Sequence, residues 1–353
     1  MYSRETLVRC QRPAWAGIKE DREVCAPDSR GKSRHGLLVT AVVALLGSFI
    51  AALAPAASAA SPAAASANPA TASLAAVAVV CTSKSHPAVA TALARDIQAA
   101  RRGRSSTVAV WVDDPGVGIT CSLSGSSHFD SASIVKVTIL GAVLRKALDQ
   151  HRYLTSTEAA QLRAMITRSD NKAASALWAK LGHSYLQHFL NLAGMRQTVL
   201  GPGGYWGLTQ VTAHDETLLL RLLLTANTVL TGNSRAYALR LMAQVISSQR
   251  WGVPAGAPRS VTVHVKNGWL PRATHGWRIN SIGGFTWSKG WYSIVVLSMD
   301  NPTMSYGITT VEAIARVIHR DLNPTAKTVI APSAPNPAWG KPDELIPALP
   351  AIP

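Results

Sequence analysis

The sequence predicts an α+β fold in which one β-sheet is interrupted, along the chain, by an all-helical block. Two observations carry this. Strand-like runs rich in Val, Ile and Thr occur in two separate clusters, Val108–Val112 with Ile119–Leu123, then Val261–Val265 with Ile279–Thr286 and Tyr292–Met299. Between the clusters, from about residue 131 to 249, apolar residues recur at helical spacing. Five strands that are not all sequence neighbours form one sheet only if the helical block is an insertion between them. No internal repeat is present.

The elements follow in order. His86-Pro87 opens a helix with Val89, Leu93 and Ile97 on one face, since proline is tolerated in a first turn. Val108–Val112 is a strand, Asp113-Asp114-Pro115-Gly116 a turn, and Ile119–Leu123 the hairpin partner that carries Cys121. Helical patterns then cover Ile134–Asp149, Glu158–Arg168, Ala173–Leu181, Tyr185–Leu192, Glu216–Leu224 and Ala236–Ser247. After the last three strands, Thr310–Leu322 closes the fold as a helix.

The chain's ends read differently. Its first 35 residues hold 8 Lys/Arg and 5 Asp/Glu; Leu37–Leu53 then runs seventeen residues without a charge and leads into Pro55 and Ala57-Ser58-Ala59. This predicts a secretory signal peptide over 1–59 with a long charged leader, cleaved after Ala59; an uncleaved signal anchor is the alternative. From Ala51 to Val80, 16 of 30 residues are alanine, so 60–80 reads as a linker, while the Pro-rich segment 324–353 reads as an extended, mobile tail. The expected domain is therefore 81–323. Cleavage would remove Cys10 and Cys25, and in an oxidising compartment Cys81 and Cys121 would form one disulfide.

Composition narrows the function classes. With 47% hydrophobic and 15% charged residues, the 353-residue chain has ample core, and disorder throughout is excluded. Four cysteines exclude a disulfide-dense or multi-zinc scaffold, and the scattered histidines lack zinc-ligand spacing, so neither metal nor cofactor is expected. Residues 60–353 hold 27 Lys/Arg and 14 Asp/Glu, a net charge of +13. For an exported monomer this suits an anionic cell-wall polymer or membrane surface; no nucleic-acid motif is present.

Three short motifs carry chemistry. Ser133-Ile134-Val135-Lys136 opens a helix and places a hydroxyl and an amine on one face at i, i+3. Backbone N–H groups and the positive end of the helix dipole lie beside such a serine, and a lysine held neutral by burial and nearby cations can act as its base. Ser169-Asp170-Asn171 is a helix cap by type, and equally offers a hydroxyl to relay a proton and an amide to hold substrate. Lys266-Asn267-Gly268 ends the strand Val261–Val265 and precedes Trp269: either a plain turn, or a cation for a substrate carboxylate, a glycine for close substrate approach and a strand-edge N–H. Each motif alone also occurs as ordinary cap or turn chemistry.

In this order, with 33 residues from Lys136 to Ser169 and 97 from Ser169 to Lys266, the chain resembles the class A β-lactamases and penicillin-binding proteins, whose signatures are S-x-x-K, S-D-N and K-T-G. The flanks Phe129-Asp130-Ser131-Ala132, Met165–Arg168 and Arg278–Gly283 are similar to that family's segments, and the resemblance spans roughly 85–322. It implies a serine β-lactamase-like fold: a five-stranded antiparallel sheet flanked by helices, plus an all-α lobe, with the site between them. It also implies that Ser133 is the acylated nucleophile, Lys136 its base, and Ser169 the donor to the departing nitrogen. Asn171, Lys266, Asn267, Gly268 and Trp269 would bind substrate, with the N–H groups of Ser133 and Trp269 as the oxyanion hole. The implied substrate is a small β-lactam or a peptidoglycan-related peptide, and the implied activity is that of a serine hydrolase. A penicillin-binding D-Ala-D-Ala-type peptidase and a catalytically weak wall-binding protein are the rival expectations.

The chain departs from the pattern in two places. The loop that carries the family's deacylating Glu corresponds to Thr198–Thr212, which contains no acid. Asn267 stands where the family has a hydroxyl residue. Asp215 is expected to cap the following helix, and the His214–Asp215 pair is not expected to form a dyad. His264 shares the strand face of Lys266, and either lines the cleft or packs inside. Trp206 and Trp269 are candidate walls of the substrate site.

Overall fold

The computed structural model of the chain describes residues 78–332. The expected signal peptide, most of the linker and the end of the tail lie outside the described residues.

Six strands form the main sheet: β1 (Val80–Thr82), β2 (Thr107–Asp114), β3 (Ile119–Leu123), β6 (Thr262–Pro271), β7 (Trp277–Trp287) and β8 (Gly290–Met299). Their spatial order is β1-β3-β2-β8-β7-β6, and every neighbouring pair is antiparallel. The five expected strands are all present, joined by one more. Three-residue β1 is too short to show an alternating pattern; it pairs with β3 so that Cys81 lies directly opposite Cys121, and the two are disulfide-bonded. A separate two-stranded ribbon pairs β4 (Phe129–Asp130) with β5 (Gln210–Val211).

Helices α1 (Pro87–Arg101) and α8 (Met304–Leu322) pack together, with α8 against β7 and β8. Helix α8 begins six residues earlier than its apolar pattern suggested, because Thr303 caps it through the Tyr306 N–H. Its buried Ile308, Val311, Ile314, Ala315 and Ile318 form the expected apolar stripe. The helical block comprises α2 (Val135–Asp149), α3 (Ser156–Thr167), α4 (Asn171–Leu181), α5 (His183–Ala193), α6 (Ala213–Leu224) and α7 (Gly232–Ala243). Thr155 and Glu158 close a reciprocal capping box on α3, and Thr231 caps α7 four residues before its expected start.

Helix α2 organises this block. It is apolar on nearly all sides from Val135 to Leu144, as a helix surrounded by others must be. Gly141 lets α5 approach: a Cβ there would fall 2.4 Å from the Phe189 ring. Residues 328–330, within the segment expected to be an extended, mobile tail, are paired here: backbone bonds join Ile330 to Gly256 and Ala257, and Arg259 to Thr328.

Candidate active site

Ser133 lies in one 3-10 turn, Ala132–Ile134, that leads into α2, and it is half-buried. The turn is held from two sides. Asn280 of β7 donates its Nδ2 to the carbonyls of Asp130 and Ser131, at 2.9 and 3.1 Å, and the Ser131 N–H donates to Thr209 O at 2.8 Å. Ala132 at φ +47° and Ser169 at φ +59° are non-glycine residues in left-handed backbone, and both flank the reacting groups. Such conformations cost on the order of 1–3 kcal/mol each and persist where the surroundings over-determine them.

The three motifs converge. The Lys136 Nζ sits 2.9 Å from Ser133 Oγ, 2.6 Å from Ser169 O, 3.0 Å from Ser169 Oγ and 2.7 Å from Asn171 Oδ1. Lys266 Nζ donates to the same Ser169 Oγ at 3.1 Å and to Asn267 O at 2.8 Å. Both lysines are completely buried. Burial, and then the charge of Lys266, push the Lys136 ammonium well below its ordinary pKa, against a smaller opposing effect of Asp170. Burial alone brings Lys266 down to about 7. Ser169 O and Asn171 Oδ1 carry no proton and can only accept from Nζ, whereas the Ser133 hydroxyl, also within hydrogen-bond distance of Nζ, can donate as well as accept.

Ser169-Asp170-Asn171 is a helix cap whose outer two residues both contact Lys136. Asp170 is the N-cap of α4 and accepts from the Ala173 N–H at 2.8 Å, while its neighbours face Lys136.

Lys266-Asn267-Gly268 is not a turn at a strand end. Strand β6 continues to Pro271, and these residues lie opposite Ile282, Ser281 and Asn280 of β7. Side chains therefore alternate, and this corrects three expectations. Lys266 faces Ser169. Asn267 faces away from it: its Nδ2 donates to Gln249 O and Trp251 O at 2.9 and 2.8 Å, so the side chain anchors that loop rather than substrate. Gly268 is needed for close approach of the nucleophile turn, since a Cβ would sit 2.8 Å from Ser131 O and Ser133 N. The Trp269 ring shares the face of Asn267, opposite to that of Lys266, and meets Trp251 edge-on at 5.9 Å, so it packs against the loop that Asn267 anchors instead of walling the site.

The loop 198–212 folds against the nucleophile turn. Val199 and Gln210 exchange backbone bonds across its base, and two short 3-10 turns, Pro202–Gly204 and Trp206–Leu208, form its body. Thr212, not Asp215, caps α6; buried Asp215 instead accepts from Gln197 N and Thr198 Oγ1, both at 2.8 Å, and roots the loop. His214 does touch Asp215, 3.3 Å from its Oδ1, but its ring packs edge-on against Trp111. His264 is a packing residue, bonded to Leu239 O and Thr286 Oγ1. Trp206 is the loop's contribution to the site: its ring centre lies 4.7 Å from Lys136 Nζ.

Residues 157–322 match the model of the β-lactamase enzyme family, a span that includes Ser169, Asn171 and Lys266. Solved class A β-lactamases superpose on the chain over almost their whole length. The fold is that of the class A β-lactamases. The enzyme from Bacteroides cellulosilyticus is 18% identical, with TM-score 0.58, 66% of this chain covered and 98% of the other. The extended-spectrum β-lactamase TLA-1 is 17% identical at TM-score 0.59, with the same coverage. A variant of the β-lactamase of the last common ancestor of Gram-negative bacteria is 21% identical at TM-score 0.56, covering 65% of this chain and 98% of the other. Curated protein sequences give no match. The resemblance to the serine β-lactamase-like superfamily read from three motifs thus holds for the fold.

Two parts of the site escaped the sequence. Asn280 lies in the segment Arg278–Gly283 between the polar residues Arg278 and Ser281, and nothing in that pattern set it against the Asp130 and Ser131 carbonyls. Likewise nothing in the one-dimensional pattern set Arg278 against Asp130, an ion pair at 2.9 Å beneath the turn.

Proposed function

We propose that this chain is an exported serine hydrolase that acylates Ser133 with a β-lactam or a related amide and then hydrolyses the acyl-enzyme slowly. The observation that carries the reading is the buried Lys136 amine 2.9 Å from Ser133 Oγ, with Ser169 Oγ shared between Lys136 and Lys266. The family match and the shared fold support it.

In the acylation step the Ser133 Oγ attacks the acyl carbon while its proton passes to neutral Lys136. The N–H groups of Ser133 and Trp269 receive the developing oxyanion. Collapse breaks the C–N bond, and the leaving nitrogen takes a proton from Ser169 Oγ, which Lys136 or Lys266 replenishes. Lys266 would attract a substrate carboxylate. Deacylation is the weak step: Thr198–Thr212 supplies no carboxylate, and loss of a general base costs about 100- to 10,000-fold. The acid-free loop is also what favours the second reading, a penicillin-binding peptidase of the D-Ala-D-Ala type. Export rests on the apolar run 37–53, and the basic surface fits an anionic wall polymer.

The test is labelling of residues 60–353 by a fluorescent penicillin. Ser133→Ala is expected to abolish it; label that persists would refute the nucleophile assignment.

A further inference from the structure

Water, not only a base, has to reach the acyl ester for the enzyme to turn over. On the side of Lys136 that faces loop 198–212, the residue in contact is an aromatic ring. Trp206 is buried, and its face lies 4.7 Å from Lys136 Nζ. Its orientation is fixed rather than incidental. The indole Nε1 donates to Ser175 Oγ of α4 at 3.0 Å, its carbonyl accepts from the Thr209 N–H, and Thr209 O in turn receives the N–H of Ser131 next to the nucleophile turn. Thus the same short segment that buttresses Ser133 presents an apolar face to its base.

An aromatic face whose centre lies 4.7 Å from Nζ fills the space in which a water hydrogen-bonded to the amine would stand. We propose that Trp206 is a positioning residue that keeps water off the Ser133 ester and so sets the lifetime of the acyl-enzyme. This rests on the acylation chemistry proposed above. The step it controls is hydrolysis: a water oxygen bonds to the acyl carbon, the acyl–Oγ bond breaks, one water proton goes to the neutral Lys136 amine, and Ser133 Oγ recovers a proton from it. Removing the ring admits water beside Lys136 and leaves Ser133, Lys136 and Ser169 themselves in place. The signature is therefore a faster decay of an adduct that forms no faster than before, whereas general loosening of the fold slows formation without shortening the adduct's life.

The experiment follows intact mass over time for the mature chain, Trp206→Ala, Trp206→Phe and Ser175→Ala after a pulse of benzylpenicillin, with p-nitrophenyl acetate as a second acyl donor. The expected result is a long-lived adduct on the wild type and a decay at least about tenfold faster in Trp206→Ala. Trp206→Phe should stay within about threefold of wild type, and Ser175→Ala, whose indole loses its anchor, should fall between; should Trp206→Ala fail to fold, Ser175→Ala carries the same test. Equal decay in the wild type and the folded variants, or rapid decay in the wild type, leaves the acylation reading intact and overturns the role of Trp206. An absence of adduct with both donors in every protein overturns the acylation reading, and this inference with it.

Discussion

Gly268→Ala tests whether β6 and the nucleophile turn form one rigid unit. An ideal Cβ at Gly268 would lie 2.8 Å from Ser131 O, 2.8 Å from Ser133 N and 3.0 Å from Ile134 N. All three are backbone atoms, so no side-chain rotation relieves the contact. Restoring a separation of about 3.5 Å, the near edge of comfortable contact, moves the strand and the turn apart by about 0.7 Å. Asn280 and Thr209 hold the turn from other directions, so the movement shifts Ser133 relative to Lys266 and the Trp269 N–H. Overpacking of this kind costs roughly 1–3 kcal/mol, and a misplacement of about 1 Å in a reacting group costs about 100-fold in rate. Adduct formation with benzylpenicillin, read by intact mass, should slow by roughly ten- to a hundredfold, with a lower Tm. Gly232→Ala is the control: its Cβ would meet nothing nearer than 3.8 Å, and acylation should be unchanged. Wild-type acylation and wild-type Tm in Gly268→Ala would refute the argument.

Three further outcomes are expected. Lys266 titrates near 7 in the folded chain and near 10.5 when unfolded, so the native state binds fewer protons between those values and stability rises with pH across them; Lys266→Met should flatten the climb of Tm from pH 7 to 10, and identical slopes would show that Lys266 is not neutral there. Glu216 is fully buried, its two oxygens have no hydrogen-bond partner among the described residues, and burial and then Asp215 raise its pKa from 4.5 to about 8. Its ionisation therefore removes stability as pH rises through 4.5 to 8, at most about 5 kcal/mol, and Glu216→Gln should raise Tm at pH 8 while changing it little at pH 4.5. The Cys81–Cys121 bond closes a separation of 40 residues; the chain-entropy relation gives about 4 kcal/mol as its stabilisation, to be measured as the denaturation difference between the oxidised protein and Cys81→Ser/Cys121→Ser, with thiol titration of the wild type giving no free cysteine in 60–353.

Much of the site was legible because its chemistry is local. Ser133 and Lys136 are one helical turn apart, so their meeting needed only the helix. The strand pattern and the helical insertion likewise came from periodicity, which a half-buried element imposes on its own residues. What periodicity missed were elements whose stability comes from partners. Three-residue β1 exists through β3 and the disulfide, and residues 328–330 are ordered by the loop at 256–259. Lys266-Asn267-Gly268 reads as a turn because Asn and Gly are turn residues, yet pairing with β7 holds the segment extended. That one difference reversed Asn267, since a strand sends neighbouring side chains to opposite faces.

The sequence by itself determined which groups exist for the chemistry: two lysines, two serines, an asparagine, a glycine and a loop without an acid. It also determined the helix that follows Ser133, because α2 is apolar on nearly all sides and therefore requires burial. Only the tertiary structure decided the state of those groups. Lys136 and Lys266 are ordinary lysines in sequence, and their pKa values fall because the lobe and the sheet close over both and leave them one shared hydroxyl. Trp206 and Trp269 are equal candidates for the site in sequence, and only the fold of loop 198–212 sets Trp206 over Lys136 while Trp269 packs on Trp251. Desolvation and contact across 33 to 97 residues of chain depend on packing in three dimensions, which no local pattern of residues encodes.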